Sequence, residues 1–111
     1  MSDIELFLAL IWAHLLLDYA LQGDFMSKAK NAAAPIAGVP WLLVLASHAF
    51  LQAGPVAYLT GSLWLAGAEF FAHMVIDNEK CRGRISFLTD QLAHVACKGM
   101  WVALLMQHGI S

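Results

Sequence analysis

Three histidines in this chain have an aspartate four residues away: His14 with Asp18, His73 with Asp77, and His94 with Asp90. On a helix that separation puts both side chains on one face, about 5–6 Å apart. With five aspartates in 111 residues, a chance partner at that spacing is roughly a one-in-ten event per histidine, so three pairs point to selection for geometry. Imidazole nitrogen and carboxylate oxygen are the ligand set of zinc, manganese and iron sites. A fourth histidine, His48, lies in an apolar run without an aspartate at that spacing. The expected metal ligands are therefore His14, Asp18, His48, His73, Asp77, Asp90 and His94, enough for one or two divalent ions, with zinc first and manganese or iron as alternatives. The competing reading is that each pair is a hydrogen-bonded contact joining helices.

Other polar residues flank these pairs. Glu69 stands one turn before His73, where it is expected to be a further ligand, an orienting residue or a proton carrier. Lys98 stands one turn after His94 and is expected to pair with a carboxylate, with snorkelling as the alternative. Asp77 and Glu69 are the expected catalytic carboxylates, one accepting a proton from an activated water. Gln22 and Gln91 are expected to orient substrate or ligands. Cys81 and Cys97 show no CxxC spacing and fall on a loop and a helix, so no pairing is expected. His108 is expected to be solvated. Trp12, Trp41, Trp64, Trp101, Tyr19 and Tyr58 suit an interfacial belt or a packed bundle, and Phe70 and Phe71 suit lipid contact.

The elements that would carry these residues are strongly apolar. The chain is 60% hydrophobic and 13% charged, far from the balance of a soluble globule. Its net charge of −2 comes with no basic block, so nucleic acid is not an expected partner. The N-terminal run is preceded by acidic residues and contains His14 and Asp18, unlike a cleaved leader, and is expected to stay as a helix. We read one all-α domain over 1–111, an up-and-down four-helix transmembrane bundle with helices at about 4–22, 38–53, 56–77 and 85–107. Ala53-Gly54-Pro55 is read as a tight turn, and 22–31 and 77–84 as polar loops. Gly61, Gly67, Gly99 and Ala103 are expected at close helix contacts.

Lys28 and Lys30 fall in the first loop and Lys80, Arg82 and Arg84 in the third, while the middle turn and C-terminal tail have no Lys or Arg. The positive-inside rule then places both termini on the non-cytoplasmic side of a bacterial inner membrane. Counting about 1.5 Å per residue from the cytoplasmic helix ends, His14, His48 and His94 lie roughly 12–14 Å deep. His73 and the carboxylates come shallower, with His73 and Asp18 and Asp90 at about 6–8 Å and Asp77 near the interface. The ligands should thus meet near the cytoplasmic face.

The run His14-Leu-Leu-Leu-Asp18-Tyr-Ala-Leu-Gln22, then Lys28 and Lys30, the internal His48, His73-Met-Val-Ile-Asp77 and Asp90-Gln91-Leu-Ala-His94 together resemble the domain of unknown function family 3307. Those small bacterial and phage membrane proteins share an HxxxD-F-x-L-Q opening, an internal His, an HxxxD and a D-Q-x-x-H, and the likeness spans nearly the whole chain. Tyr19 stands where the family has Phe. The resemblance implies that His14, Asp18, Gln22, His48, His73, Asp77, Asp90, Gln91 and His94 matter, and it implies no reaction.

Three function classes follow. The first is a membrane-embedded metal-dependent hydrolase acting on a lipid-like substrate. The second is a transporter or binding module for metal ions or protons, with Glu69 as the deeper relay and homo-oligomerisation to complete a pathway. The third is a non-enzymatic membrane accessory protein, bacterial or phage-borne, whose metal holds the helices in register.

Overall fold

In the computed structural model, residues 1–108 are described, with side chains through residue 107, so the expectation for His108 lies outside the described side chains. Among the described residues the chain is all-α, with five helices, a π-helical turn and no strand. Helix α1 (Asp3–Leu15) runs into the π-turn (Leu16–Ala20), followed by α2 (Gly23–Ala29), α3 (Trp41–Thr60), α4 (Leu63–Cys81) and α5 (Phe87–His108). The four long helices close a ring of neighbours: α1 packs on α3 and α5, and α4 packs on α3 and α5.

Local chemistry explains where the helices start. Ser2 Oγ accepts from the Glu5 amide at 3.2 Å while Glu5 Oε1 accepts from the Ser2 amide at 3.0 Å. This capping box satisfies two amides that lack partners at a helix start. Pro40, with φ −70°, precedes α3 and holds the chain extended there.

Several boundaries differ from the sequence expectation. Ala53-Gly54-Pro55 is not a turn: α3 runs through Pro55 to Thr60, so the second helix has 20 residues and is not short. A proline lacks one helix hydrogen bond, but Ala53 and Val56 on either side of it are buried in the bundle, and that burial keeps the segment helical. The real break is Gly61, whose φ of 71° ends α3 in the left-handed region while its amide bonds Ala57 O at 2.9 Å. That conformation is open to glycine at little cost. Gly61 is thus a helix stop, and nothing lies within 4 Å of where a side chain on Gly67 would begin, whereas one on Gly99 would meet Phe7 at 3.6 Å. Gly67 and Gly61 are not close helix contacts, and Ala103 is exposed. The third helix begins at Leu63, not at residue 56, and continues to Cys81 through half of the expected loop.

Ser62 starts α4 from a fully buried position, its Oγ accepting from the Leu65 amide at 3.1 Å. Ser62→Ala is expected to lower unfolding free energy by about 1 kcal/mol, and Ser62→Thr to retain most of it, as read by denaturant unfolding.

The first loop is also more ordered than expected, since it contains α2, bent 90° from the helix before it. Gly23, at φ 77°, is the residue that makes the bend. The first helix is not regular to residue 22 either, because its last turn is a π-turn closed by the Leu21 amide on Leu16 O at 2.9 Å.

Packing divides the bundle along its length. At the end holding the α3–α4 turn, Leu6, Leu10, Val56, Leu65, Trp101 and Val102 form an apolar core. Toward the α2 end the interior is polar, and among the described residues buried polar or charged ones are as numerous as buried apolar ones. Large apolar side chains such as Leu8, Trp12, Phe50, Tyr58, Trp64, Phe71 and Leu92 are exposed. One helix, Trp41–Thr60, is by itself long and apolar enough to cross a membrane, and Asp3–Ala20 with the bent Gly23–Ala29 makes a second candidate.

Candidate metal centre

The three His/Asp pairs face inward and meet. Separations are 3.7 Å for His14 Nε2 to Asp18 Oδ2, 3.7 Å for His73 Nε2 to Asp77 Oδ2 and 3.4 Å for His94 Nε2 to Asp90 Oδ1. Helix α3 adds His48, whose Nε2 lies 3.1 Å from Asp18 Oδ1 and 3.5 Å from Asp77 Oδ2. The depth count set His73 apart from the other histidines, but its ring stacks on His94 at 4.1 Å and lies 5.0 Å from His48 and 5.8 Å from His14. Rise per residue locates backbone atoms, and side chains lean along the helix, so a shallower Cα still delivers its ring to the same cluster. All seven of these side chains are buried.

Their spacing suits a cation. Three sets, His14/His73/His94, Asp18/His48/His73 and Asp77/Asp90/His94, each bring one ligand atom per residue within 4.8 Å of one another, and together they comprise the seven residues expected from sequence. Tetrahedral ligands at about 2.0–2.2 Å from an ion lie roughly 3.3–3.6 Å apart, close to several of the separations above. Five buried atoms in the cluster have no hydrogen-bond partner: His14 Nδ1, His73 Nε2, Asp90 Oδ1, His94 Nδ1 and His94 Nε2. Buried polar atoms are ordinarily paired, and each left alone costs about 1–3 kcal/mol. Coordination of an ion would satisfy the inward-facing ones.

Hydrogen bonds around the cluster hold it in place. Gln91 donates to Asp18 Oδ2 and Asp90 Oδ2, each at 2.9 Å, and its Oε1 lies 3.2 Å from His14 Nε2. Gln22 donates to the Asp18 carbonyl at 3.0 Å, capping an oxygen in the π-turn. That turn, of the kind often found at functional sites, carries Asp18 into contact range of His48 and Gln91.

Glu69 is engaged on both oxygens: Oε1 accepts from Lys98 Nζ at 2.6 Å and from Trp101 Nε1 at 3.0 Å, and Oε2 lies 3.0 Å from His73 Nδ1. A carboxylate paired with lysine accepts only, so His73 Nδ1 carries the proton and Nε2 offers its lone pair to the cluster. Of the roles expected for Glu69, its position matches orientation of His73. Lys98 forms the expected ion pair.

Three residues in this arrangement are not among the expected site residues. Lys30 was read as a loop cation, yet it is buried and its Nζ donates to Asp77 Oδ2 at 2.7 Å and Gln22 Oε1 at 2.6 Å. Gln52 is buried and reaches the His14 carbonyl at 3.4 Å and Asp18 Oδ1 at 3.5 Å. It lies four residues after His48, so the spacing rule that found the His/Asp pairs would have found it too. Of the two alternatives for Trp101, an interfacial belt or a packed bundle, its burial matches the second, and Lys98 one turn back is the signal that it faces inward. Cys81 and Cys97 are both free.

No curated protein and no solved structure matches the chain. The spaced motifs that build this cluster run from the first helix to the last, and a family model covers the same span: by its match over residues 6–110, the chain belongs to the family described as protein of unknown function (DUF3307).

Proposed function

We propose that this is a multi-pass protein of a bacterial-type inner membrane whose His/Asp centre binds a divalent cation, zinc first, and hydrolyses a lipid-like substrate near the cytoplasmic face. The observation that carries the reading is the set of buried, unpartnered imidazole and carboxylate atoms at ligand spacing. Membrane insertion of a four-helix bundle is supported by the distribution of polarity, with apolar side chains outside and ionisable ones inside. In hydrocarbon such groups are costly unless they face the bundle interior and are paired. The longest dimension, 45 Å, matches the roughly 40–45 Å of a bilayer with its headgroups. Exposed Lys28, Arg82 and Arg84 lie in the connections at the polar end, which favours a cytoplasmic position for that end.

A divalent cation here would supply Lewis acidity and a water made reactive at neutral pH. The chain's own residues do the rest. Glu69 holds His73 by its Nδ1, and Lys98 and Trp101 hold Glu69. Gln91 bridges Asp18 and Asp90. Asp77 is the carboxylate placed to accept a proton, with Oδ2 tied to Lys30 and Oδ1 facing His94 at 3.7 Å. In this reading Glu69 orients His73, held in turn by Lys98 and Trp101, and hydrolysis is favoured over transport. An apolar groove of about 510 Å³ between α1 and α3, lined in part by Trp12, Leu16, Leu17, Tyr58 and Leu59, suits an acyl chain.

The test is elemental analysis of detergent-purified protein followed by turnover of lipid esters and lipid phosphoesters in mixed micelles. Bound zinc, turnover lost on chelation and restored by zinc are expected. Protein without bound metal, or turnover indifferent to the chelator, would sink the proposal.

A further inference from the structure

Lys30 brings a fixed positive charge to a site otherwise made of imidazoles and carboxylates. Its ammonium is buried at the end of α2, 2.7 Å from Asp77 Oδ2, and Gln22 Oε1 takes a second N–H at 2.6 Å. Gln22 is itself tied to the Asp18 carbonyl. Lys30 is therefore held in place, unlike Lys28 two residues earlier, which is exposed and pairs with the exposed Asp24.

Charge and geometry lead to one consequence. With neutral imidazoles, Asp18, Asp77 and Asp90 against Lys30 leave two negative charges, because Glu69 and Lys98 cancel each other. One divalent cation balances that remainder; a second would leave two buried positive charges, and unbalanced buried charge is strongly unfavourable. Geometrically, Asp77 Oδ2 faces His48 Nε2 at 3.5 Å and His73 Nε2 at 3.7 Å, while Oδ1 faces His94. Oδ2 is thus the oxygen through which Asp77 would join a second ion to the His48/His73 side, and Lys30 occupies it.

We propose that Lys30 acts as a built-in cation that limits the seven-residue centre to a single divalent ion by occupying Oδ2 of Asp77. This rests on the metal-dependent reading above and adds its stoichiometry.

The probe is zinc alone. The full chain in detergent is saturated with zinc, freed of excess, and its zinc per chain measured by elemental analysis and native mass spectrometry. Wild type and Lys30→Arg are expected to hold one ion; in Lys30→Met one ion or two would leave the same magnitude of charge, so the freed Oδ2 of Asp77 decides, and two ions are expected. Should Lys30→Met fail to fold, as judged by helical circular dichroism and a monodisperse elution profile, Lys30→Gln takes its place with the same expected doubling. Two ions on wild type would overturn the inference by themselves, as would a folded neutral variant that still takes one. A wild-type chain that binds no zinc overturns the proposed function itself, a result distinct from a miscounted ion.

Discussion

His73→Ala is expected to weaken the proposed zinc binding by more than about 100-fold. Loss of a mere supporting hydrogen bond around a metal typically costs roughly 10–100-fold, and His73 is closer in than that. It belongs to two of the three ligand sets and its ring touches the other three imidazoles. The bundle should survive the change, because Glu69 keeps Lys98 and Trp101 as partners. Competition with a chromophoric chelator reads the affinity, and circular dichroism checks the helices. Glu69→Gln gives the graded comparison: Nδ1 of His73 loses its charged partner while the ring stays, so the fall should stay within that tenfold to hundredfold range. A His73→Ala chain that binds zinc within tenfold of wild type would place the ion elsewhere.

Lys98→Met should be the most destabilising single change away from the ligands. It leaves the Glu69 carboxylate, 1% exposed, without its cation, and breaking one side of a buried ion pair costs about 3–5 kcal/mol. The double variant Lys98→Met with Glu69→Gln removes both charges, and most of that loss should return. Such recovery is the signature of direct coupling between neighbours. Unfolding of the four chains in one detergent measures the cycle. A single-variant cost under about 1 kcal/mol, or a double variant no better than Lys98→Met, would mean that the pair does not hold Glu69 as described.

The same ion pair shows how far spacing carries. Lys98 and Glu69 were each noted from their position one turn from a histidine, and the pairing of Lys98 with a carboxylate was expected, yet three roles remained open for Glu69. Only the approach of Trp101 from α5 and of His73 along α4 ties both of its oxygens to specific partners. Likewise, the i, i+4 rule identifies candidate ligand pairs within a helix but is silent on which pairs meet, and it reaches Gln52, on the same face as His48, only when amides count as partners.

The helix limits failed where a local signal and a tertiary one disagreed. Gly54-Pro55 is a strong turn signal, but Val56 belongs to the apolar core with Leu6, Leu10 and Leu65, and α3 stays whole until Gly61. The π-turn left no mark in sequence, since its residues Leu-Leu-Asp-Tyr-Ala would sit equally well in a regular helix.

By itself the sequence determined that the chain is helical and strongly apolar, which seven side chains are candidates for one centre, and that six of them form three pairs along single helices. Those properties are local, set by periodicity and by residue chemistry within one turn. Tertiary structure alone decided that His73 stacks into the same cluster as the other rings, that Asp18 swings inward on a π-turn, and that Lys30 folds back under α2 onto Asp77, 47 residues away. Those contacts depend on how separate helices are rotated and bent against one another, and no spacing within one helix encodes that.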